Sequence, residues 1–158
     1  MLTRPAKEPF GRWLAGQANP DGGYNFAGRG GPSGADDTGS ALQGLVAAGM
    51  RGTRVVRRAA AWLAGRQNPD GGFSLQGGAS NAQSTAWAIQ GLIAAGRDPD
   101  AVRRRGSRSA IGYLRSLVTP SGAIRYSRTS AQTPVWVTAQ ALVALAGKAF
   151  PLAPPGRR

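Results

Sequence analysis

Asp36-Asp37-Thr38 is the one place in this 158-residue chain where two carboxyls stand side by side. In a poorly solvated cavity such a pair retains a proton, because two like charges held close together out of water repel. The protonated member is then placed to act as a general acid. At the start of a helix the same two residues would instead act as caps and complement the positive helix end. From the residues alone both readings stay open. The chain contains neither Cys nor His, which removes disulfides, thiolate and imidazole metal ligands, and any Ser-His-Asp or Cys-His site. The seven acids are too scattered to suggest a metal site, and no cofactor is implied.

The net charge of +13 is unevenly spread. Residues 1–50 sum to zero, residues 51–96 to +4 and residues 97–158 to +9. Arg103-Arg104-Arg105 with Arg108 could meet phosphate or an anionic membrane surface. No nucleic-acid motif accompanies this charge, so a solvated outer helix face is the favoured reading and nucleic acid is not an expected partner. No apolar run approaches the roughly 18–20 residues needed to span a bilayer. The N-terminal MLTRPAKEPFGRW lacks the apolar stretch of a signal peptide. The sequence assigns no compartment.

The elements that must position the carboxyls come in repeats. QANPDGGY at residues 17–24 returns as QNPDGGF at residues 67–73, and Trp-Leu-Ala-Gly precedes each copy, at Trp13 and at Trp62. ALQGLVAAG (residues 41–49) follows the first copy and AIQGLIAAG (residues 88–96) the second. A third copy runs through Tyr113-Leu114, TPSGAIRY and TAQALVALAG (residues 138–147). Self-similarity at such a period marks a stack of like units. The expected domain covers residues 1–150, with repeats at about 10–50, 51–97 and 98–147 and a disordered Pro/Arg tail at 151–158.

Each unit divides into two helices, joined by a turn that Pro, Asp and paired glycines favour. One helix of each pair is apolar. Its buried stripe is predicted as Leu42, Leu45, Val46 and Gly49, then Thr85, Ile89, Leu92, Ile93 and Gly96, then Val135, Ala139, Leu142 and Val143. Thr133 is the expected cap of the third, with Pro134 in its first turn. The alternate helices are more basic and are predicted over Ala6–Gln17, Thr53–Gln67 and Asp98–Val118. Tyr24 or Phe73 would pack onto Trp13 or Trp62, and Gln17 and Gln67 would bond backbone groups left open at helix ends.

These residues resemble the squalene cyclase and prenyltransferase superfamily, whose repeat motif has an aromatic, Gln, a short gap, Gly, one residue and a final Trp. Trp62, Gln67, Gly71 and Phe73 match it with Phe in last place; Trp13, Gln17, Gly22 and Tyr24 match it with Tyr. The third copy keeps Tyr113, Gly122 and Ile124 without the Gln. The resemblance implies an all-α fold, an α/α toroid, of which this chain supplies a half-toroid of three antiparallel hairpins. The helices opening at Asp37, Ser84 and Pro134 would be inner and the Arg-rich ones outer. Toroids of that family close with six pairs, so a homodimer or missing repeats would complete the ring.

Gly34-Ala35-Asp36-Asp37-Thr38 resembles the DxDDT motif of squalene-hopene-type cyclases, with Gly34 standing where the first Asp would be. Carried over, Asp36 is the proton donor that starts a cation cascade on an alkene, and Asp37 is its neighbour. Thr38, Trp87 and Trp136 would line the cavity, the tryptophans offering ring faces to cations. The zinc-dependent prenyltransferases of the superfamily bind metal through Asp, Cys and His, two of which this chain lacks. The implied function is a terpene cyclase-like domain acting on or binding an apolar isoprenoid-type ligand. A non-catalytic toroid for binding or protein interaction is the alternative, and whether the chain is an enzyme stays open.

Overall fold

A computed structural model describes residues 4–104 and 106–152. Among these the chain forms six α-helices and no sheet: α1 (Arg4–Gly16), α2 (Ala35–Ala47), α3 (Arg54–Ala64), α4 (Ala82–Ala94), α5 (Ala110–Arg115) and α6 (Pro134–Leu145). The apolar helices form a row in which α2 packs on α4 and α4 on α6, while α1, α3 and α5 lie against them. One continuous core results, with Leu42, Leu45, Leu63, Phe73, Ile89 and Tyr113 fully buried.

Small residues set the spacing of the row. A Cβ at Gly39 would fall on the Trp87 carbonyl oxygen, and one at Gly91 would come within 2.7 Å of the Gly39 Cα. Here α2 and α4 touch backbone to backbone, which a larger residue at either place would prevent. In α1, Gly11 serves the same end, because a Cβ there would meet the Ala48 Cβ at 2.9 Å. The helix runs unbroken from Arg4 to Gly16 through Pro9, although Pro9 and Gly11 weaken it locally.

The Asn-Pro-Asp-Gly-Gly turns are built alike. Asp21 accepts the Gly23 N–H at 2.9 Å, and Asp70 accepts that of Gly72 at 3.0 Å. Burial would push the Asp21 carboxyl up, but the Gly23 N–H, the Ser33 hydroxyl and the Trp62 indole outweigh it and hold Asp21 below its usual value. Positive φ is required at Gly71, where a Cβ would also come within 2.5 Å of the Arg108 carbonyl oxygen. The residue after each turn then donates its N–H to a threonine of the following inner helix. Tyr24 bonds Thr38, Phe73 bonds Thr85 and Ile124 bonds Thr138, each at 2.9 Å.

The aromatic that opens a repeat clasps the turn of the repeat before it. Trp62 lies over Gly23, with its indole N–H on Asp21 Oδ2 at 2.8 Å. Tyr113 lies over Gly72 and donates to the Ser80 carbonyl at 2.8 Å. Burial pushes its phenol pKa up to about 12. The structure thus places Trp62 on the turn of the preceding repeat.

Three other expectations are corrected. The helix expected over 98–118 is reduced to α5. Asp98 accepts the Asp100 N–H at 2.9 Å, Gly106 has φ 78°, and Gln67 Oε1 takes the Arg104 N–H at 2.7 Å. These local bonds hold the segment as a loop until Ser109 caps the short helix through the Gly112 N–H. Arg103, Arg104 and Arg108 are therefore exposed loop residues, and Arg105 lies outside the described residues. Thr133 adopts the left-handed region with φ 45° and makes no side-chain cap bond. Most of the stripe expected on α6 faces outward: Val135 is 84% and Leu142 56% exposed, Ala139 is exposed too and Val143 is half-buried, while Val137, Gln140, Ala141 and Ala144 are buried against α4 and α5. Of the expected tail, Pro151 and Leu152 are exposed and residues 153–158 lie outside the described residues. Just before it, Phe150 donates its N–H to Gln43 Oε1 of α2 at 2.7 Å.

Replacing Thr85 by Val keeps the shape of the side chain but leaves the buried Phe73 N–H without its acceptor. We expect a loss of about 1–3 kcal/mol of unfolding free energy in a urea titration. Thr85→Ser, which keeps the oxygen, should recover most of it.

Candidate functional site

Gly34 is the residue before the first turn of α2, and Asp36 and Asp37 lie within that turn. Neither carboxyl is the cap itself, since no side-chain cap bond is made there. The expected capping role is thus replaced by a position one step further in, where the carboxyls still meet the positive end of the helix. The two side chains project differently, as neighbours on a helix must.

Asp36 points toward α4, where the Ser84 hydroxyl donates to it. Ser84 is itself held at the start of that helix by Asn81, whose Oδ1 accepts the Ser84 N–H at 2.8 Å and whose Nδ2 donates to Ser84 Oγ at 3.1 Å. Burial raises the Asp36 pKa above its ordinary value of 3.8, and the neighbouring Asp37 charge adds to the rise, against the pull of Ser84. Its Oδ1 is buried with no hydrogen-bond partner. Asp37 lines a cavity of about 420 Å³ together with Trp13, Tyr24, Phe26, Ser40 and Gly44. Burial raises its pKa as well, partly opposed by the Phe26 N–H, and its Oδ2 is buried and unpartnered. A Cβ at Gly34 would stand 2.6 Å from that oxygen.

The remaining predicted residues divide by role. Thr38 is fully buried and engaged with the Tyr24 N–H. Trp87 is half-buried on α4, with its carbonyl against Gly39. Trp136 is 65% exposed on α6, its indole N–H on Gln140 Oε1 at 3.2 Å. Trp13 is 67% exposed on α1. Tyr24 and Phe73 are core residues beside their turns, and burial pushes the Tyr24 phenol up to about 12. Gly22 and Gly71 take the positive φ of those turns. The two glutamines serve the loops rather than helix ends. Gln67 donates to the Gly71 carbonyl at 3.0 Å, and Gln17 Oε1 accepts the Arg29 N–H at 3.4 Å.

Counted from the threonines that receive the turn N–H, Asp36, Gln83 and Trp136 hold one position on α2, α4 and α6, while Asp37, Ser84 and Val137 hold the next. Sequence reasoning missed Ser84 as a partner of Asp36, and Phe26 as a donor to Asp37. The first was within reach, since aligning Thr38 with Thr85 sets Ser84 beside the carboxyl pair one repeat on. The second depends on the path of a loop.

The family model described as squalene-hopene cyclase C-terminal domain matches residues 5–128, from α1 to just beyond the third turn. The chain belongs to that family. Among curated proteins none matches it significantly.

Because both carboxyls ionise above 3.8 in the fold and near that value when unfolded, the native state binds more protons between those limits. Their contribution to stability is therefore fullest below about pH 3.8 and is lost as pH rises through the raised values. Asp36→Asn, neutral throughout, should melt above the parent chain at pH 7, and the difference should shrink as thermal scans move toward pH 3. Each unit of upward shift corresponds to about 1.4 kcal/mol at neutral pH.

Proposed function

We propose, from membership of the squalene-hopene cyclase C-terminal domain family, that this chain binds a linear isoprenoid and starts its cyclisation by protonating an alkene from Asp36. The observation that carries the reading is the state of that carboxyl. Burial and the adjacent Asp37 favour its neutral form, and one of its oxygens has no protein partner. A carboxyl held in this way keeps its proton to higher pH than an exposed one does. Transfer to a terminal alkene carbon forms a C–H bond, consumes the π pair and leaves a tertiary cation, with Asp36 as carboxylate. Ser84 then donates to the new anion. Trp136, at the Asp36 position two helices along the row, supplies a ring face suited to stabilising a cation, and Trp87 on the intervening helix is the second such ring.

A specific feature favours a second reading, in which the domain binds such a ligand without turning it over. The motif it resembles has a further Asp at the position of Gly34, and in this structure a side chain there would require the Asp37 carboxyl to shift. The acid is built from two carboxyls instead of three.

Incubation with squalene, analysed by gas chromatography and mass spectrometry, distinguishes the readings. If Asp36 is the acid, the parent chain forms cyclic hydrocarbon and Asp36→Asn lowers the rate by about 10²–10⁴-fold, while quenching of tryptophan fluorescence by squalene persists in both. Quenching without product in the parent chain establishes the binding reading. Neither quenching nor product rejects both.

A further inference from the structure

Every inner helix with a successor is completed by it in the same way. The N–H of Ala35, at the start of α2, donates to the Leu75 carbonyl at 2.7 Å, and the N–H of Ala82, at the start of α4, donates to the Tyr126 carbonyl at 2.7 Å. Leu75 and Tyr126 each lie two residues beyond the aromatic or Ile that follows a turn. Beside these bonds, Gly39 of α2 meets Trp87 and Gly91 of α4, and Leu42 is buried without residue.

Among the described residues, the two ends of the row carry the two halves of this junction, unused. On α6 the residues in the places of Ala35, Gly39 and Leu42 are Val135, Ala139 and Leu142, all exposed. They border an open groove of about 460 Å³ between α6 and the third turn. At the other end, Phe26 holds the place of Leu75 and Tyr126 and is 85% exposed. Ser40 and Gly44 hold the places of Trp87 and Gly91 and are exposed on α2. Phe26, Ser40, Gly44 and Asp37 border the cavity described above.

We propose that α6 of one copy of this chain seats in the cavity bounded by Phe26, Asp37, Ser40 and Gly44 of a second copy, continuing the α2–α4–α6 row head to tail. The Val135 N–H then donates to the Phe26 carbonyl of the second copy, as Ala35 and Ala82 donate within the chain. Ala139 lies over Gly44, and Leu142 is removed from water. Trp136 stands in the place of Asp36, which within the chain faces Ser84, so between copies its ring faces the Asp37 position.

Charge disfavours one alternative, the joining of two α6 ends. The segment from residue 97 onward carries eleven basic and two acidic residues, whereas residues 1–50 carry four of each. Joining two α6 ends would oppose two such basic segments; joining an α6 end to a start face opposes one to a neutral segment that includes Asp21, Asp36 and Asp37. One element of the internal junction is not reproduced. Ala123 stands where the first two turns have Gly23 and Gly72, so Trp13 of the second copy cannot close on the third turn as Trp62 closes on the first. The contact rests on the helices. Since both faces are present on every copy, the association closes into a ring, the smallest being of two copies, or extends as a filament.

The chain has no cysteine, which makes a directed test direct. Val135→Cys and Phe26→Cys are prepared separately, mixed, and treated with a short bismaleimide, while light scattering follows the mass of the parent chain. Expected are an assembly larger than one copy and linking between the two variants well above that of either variant alone. Leu142→Glu on the Val135→Cys copy should weaken the association about tenfold or more by placing a charge in the apolar contact. Circular dichroism verifies that this exposed substitution leaves the fold intact. A monomer at the highest soluble concentration overturns the proposal, as does Val135→Cys linking to itself as readily as to Phe26→Cys. Mass and linking are read without substrate, so failure to cyclise squalene leaves this test unaffected.

Discussion

The first N–H groups of a helix have no acceptor within it, and a helix start cannot be buried unless something outside supplies one. In this chain the supplier is the loop of the following repeat, through the bonds from Ala35 to Leu75 and from Ala82 to Tyr126. Most of the architecture follows from that dependence. The loop must lie where the helix begins, so the inner helices must approach closely, and Gly39 and Gly91 allow them to. The turn that feeds the loop must also be fixed, which the threonine acceptors and the aromatic of the next repeat accomplish. No hairpin here completes itself, the physical content of a repeat architecture.

The carboxyl pair owes its properties to the same junction. Asp36 and Asp37 lie in the first turn of α2, where the next repeat covers part of the helix start. On an isolated helix they would be solvated and would complement the dipole at little cost. Buried between α2 and α4, Asp36 gains one donor, Ser84, and retains an oxygen with none. Chemistry and structure thus meet at a place that exists only because two repeats are stacked.

How much of this was legible in the sequence depends on the range of the interactions. The duplicated turns, the apolar helices α2 and α4, their buried leucines and Ile89 could be read, because Pro, Asp, Gly and apolar spacing act locally. The reduction of the fifth helix to six residues could not, because the decisive bond joins Gln67 to Arg104 across two repeats. The outward face of α6 was missed for a related reason. Its apolar pattern matches those of α2 and α4, and what differs is whether a following helix covers it, which no pattern within the segment records. At the site, the residue types identified the carboxyls, whereas their orientations, toward Ser84 and toward the cavity, came from the packing.

In the proposed reading, the conditions placed on a buried acid pull in opposite directions, and the residues around Asp36 bear on both. Burial and the charge on Asp37 favour the protonated form of Asp36, but a carboxyl with a raised pKa is the weaker acid. What helps it to release a proton to a poor base is stabilisation of the carboxylate left behind. Ser84 provides this, donating to Asp36 and favouring its charged form. Asn81 positions the hydroxyl, so the donor is fixed before the charge appears and no reorganisation is needed when it does. A third carboxyl at position 34 would retain the proton more firmly and oppose its loss from the final one. With glycine there, Asp37 occupies the space beside Gly34, and the balance between holding a proton and yielding it rests on one neighbouring charge and one hydroxyl.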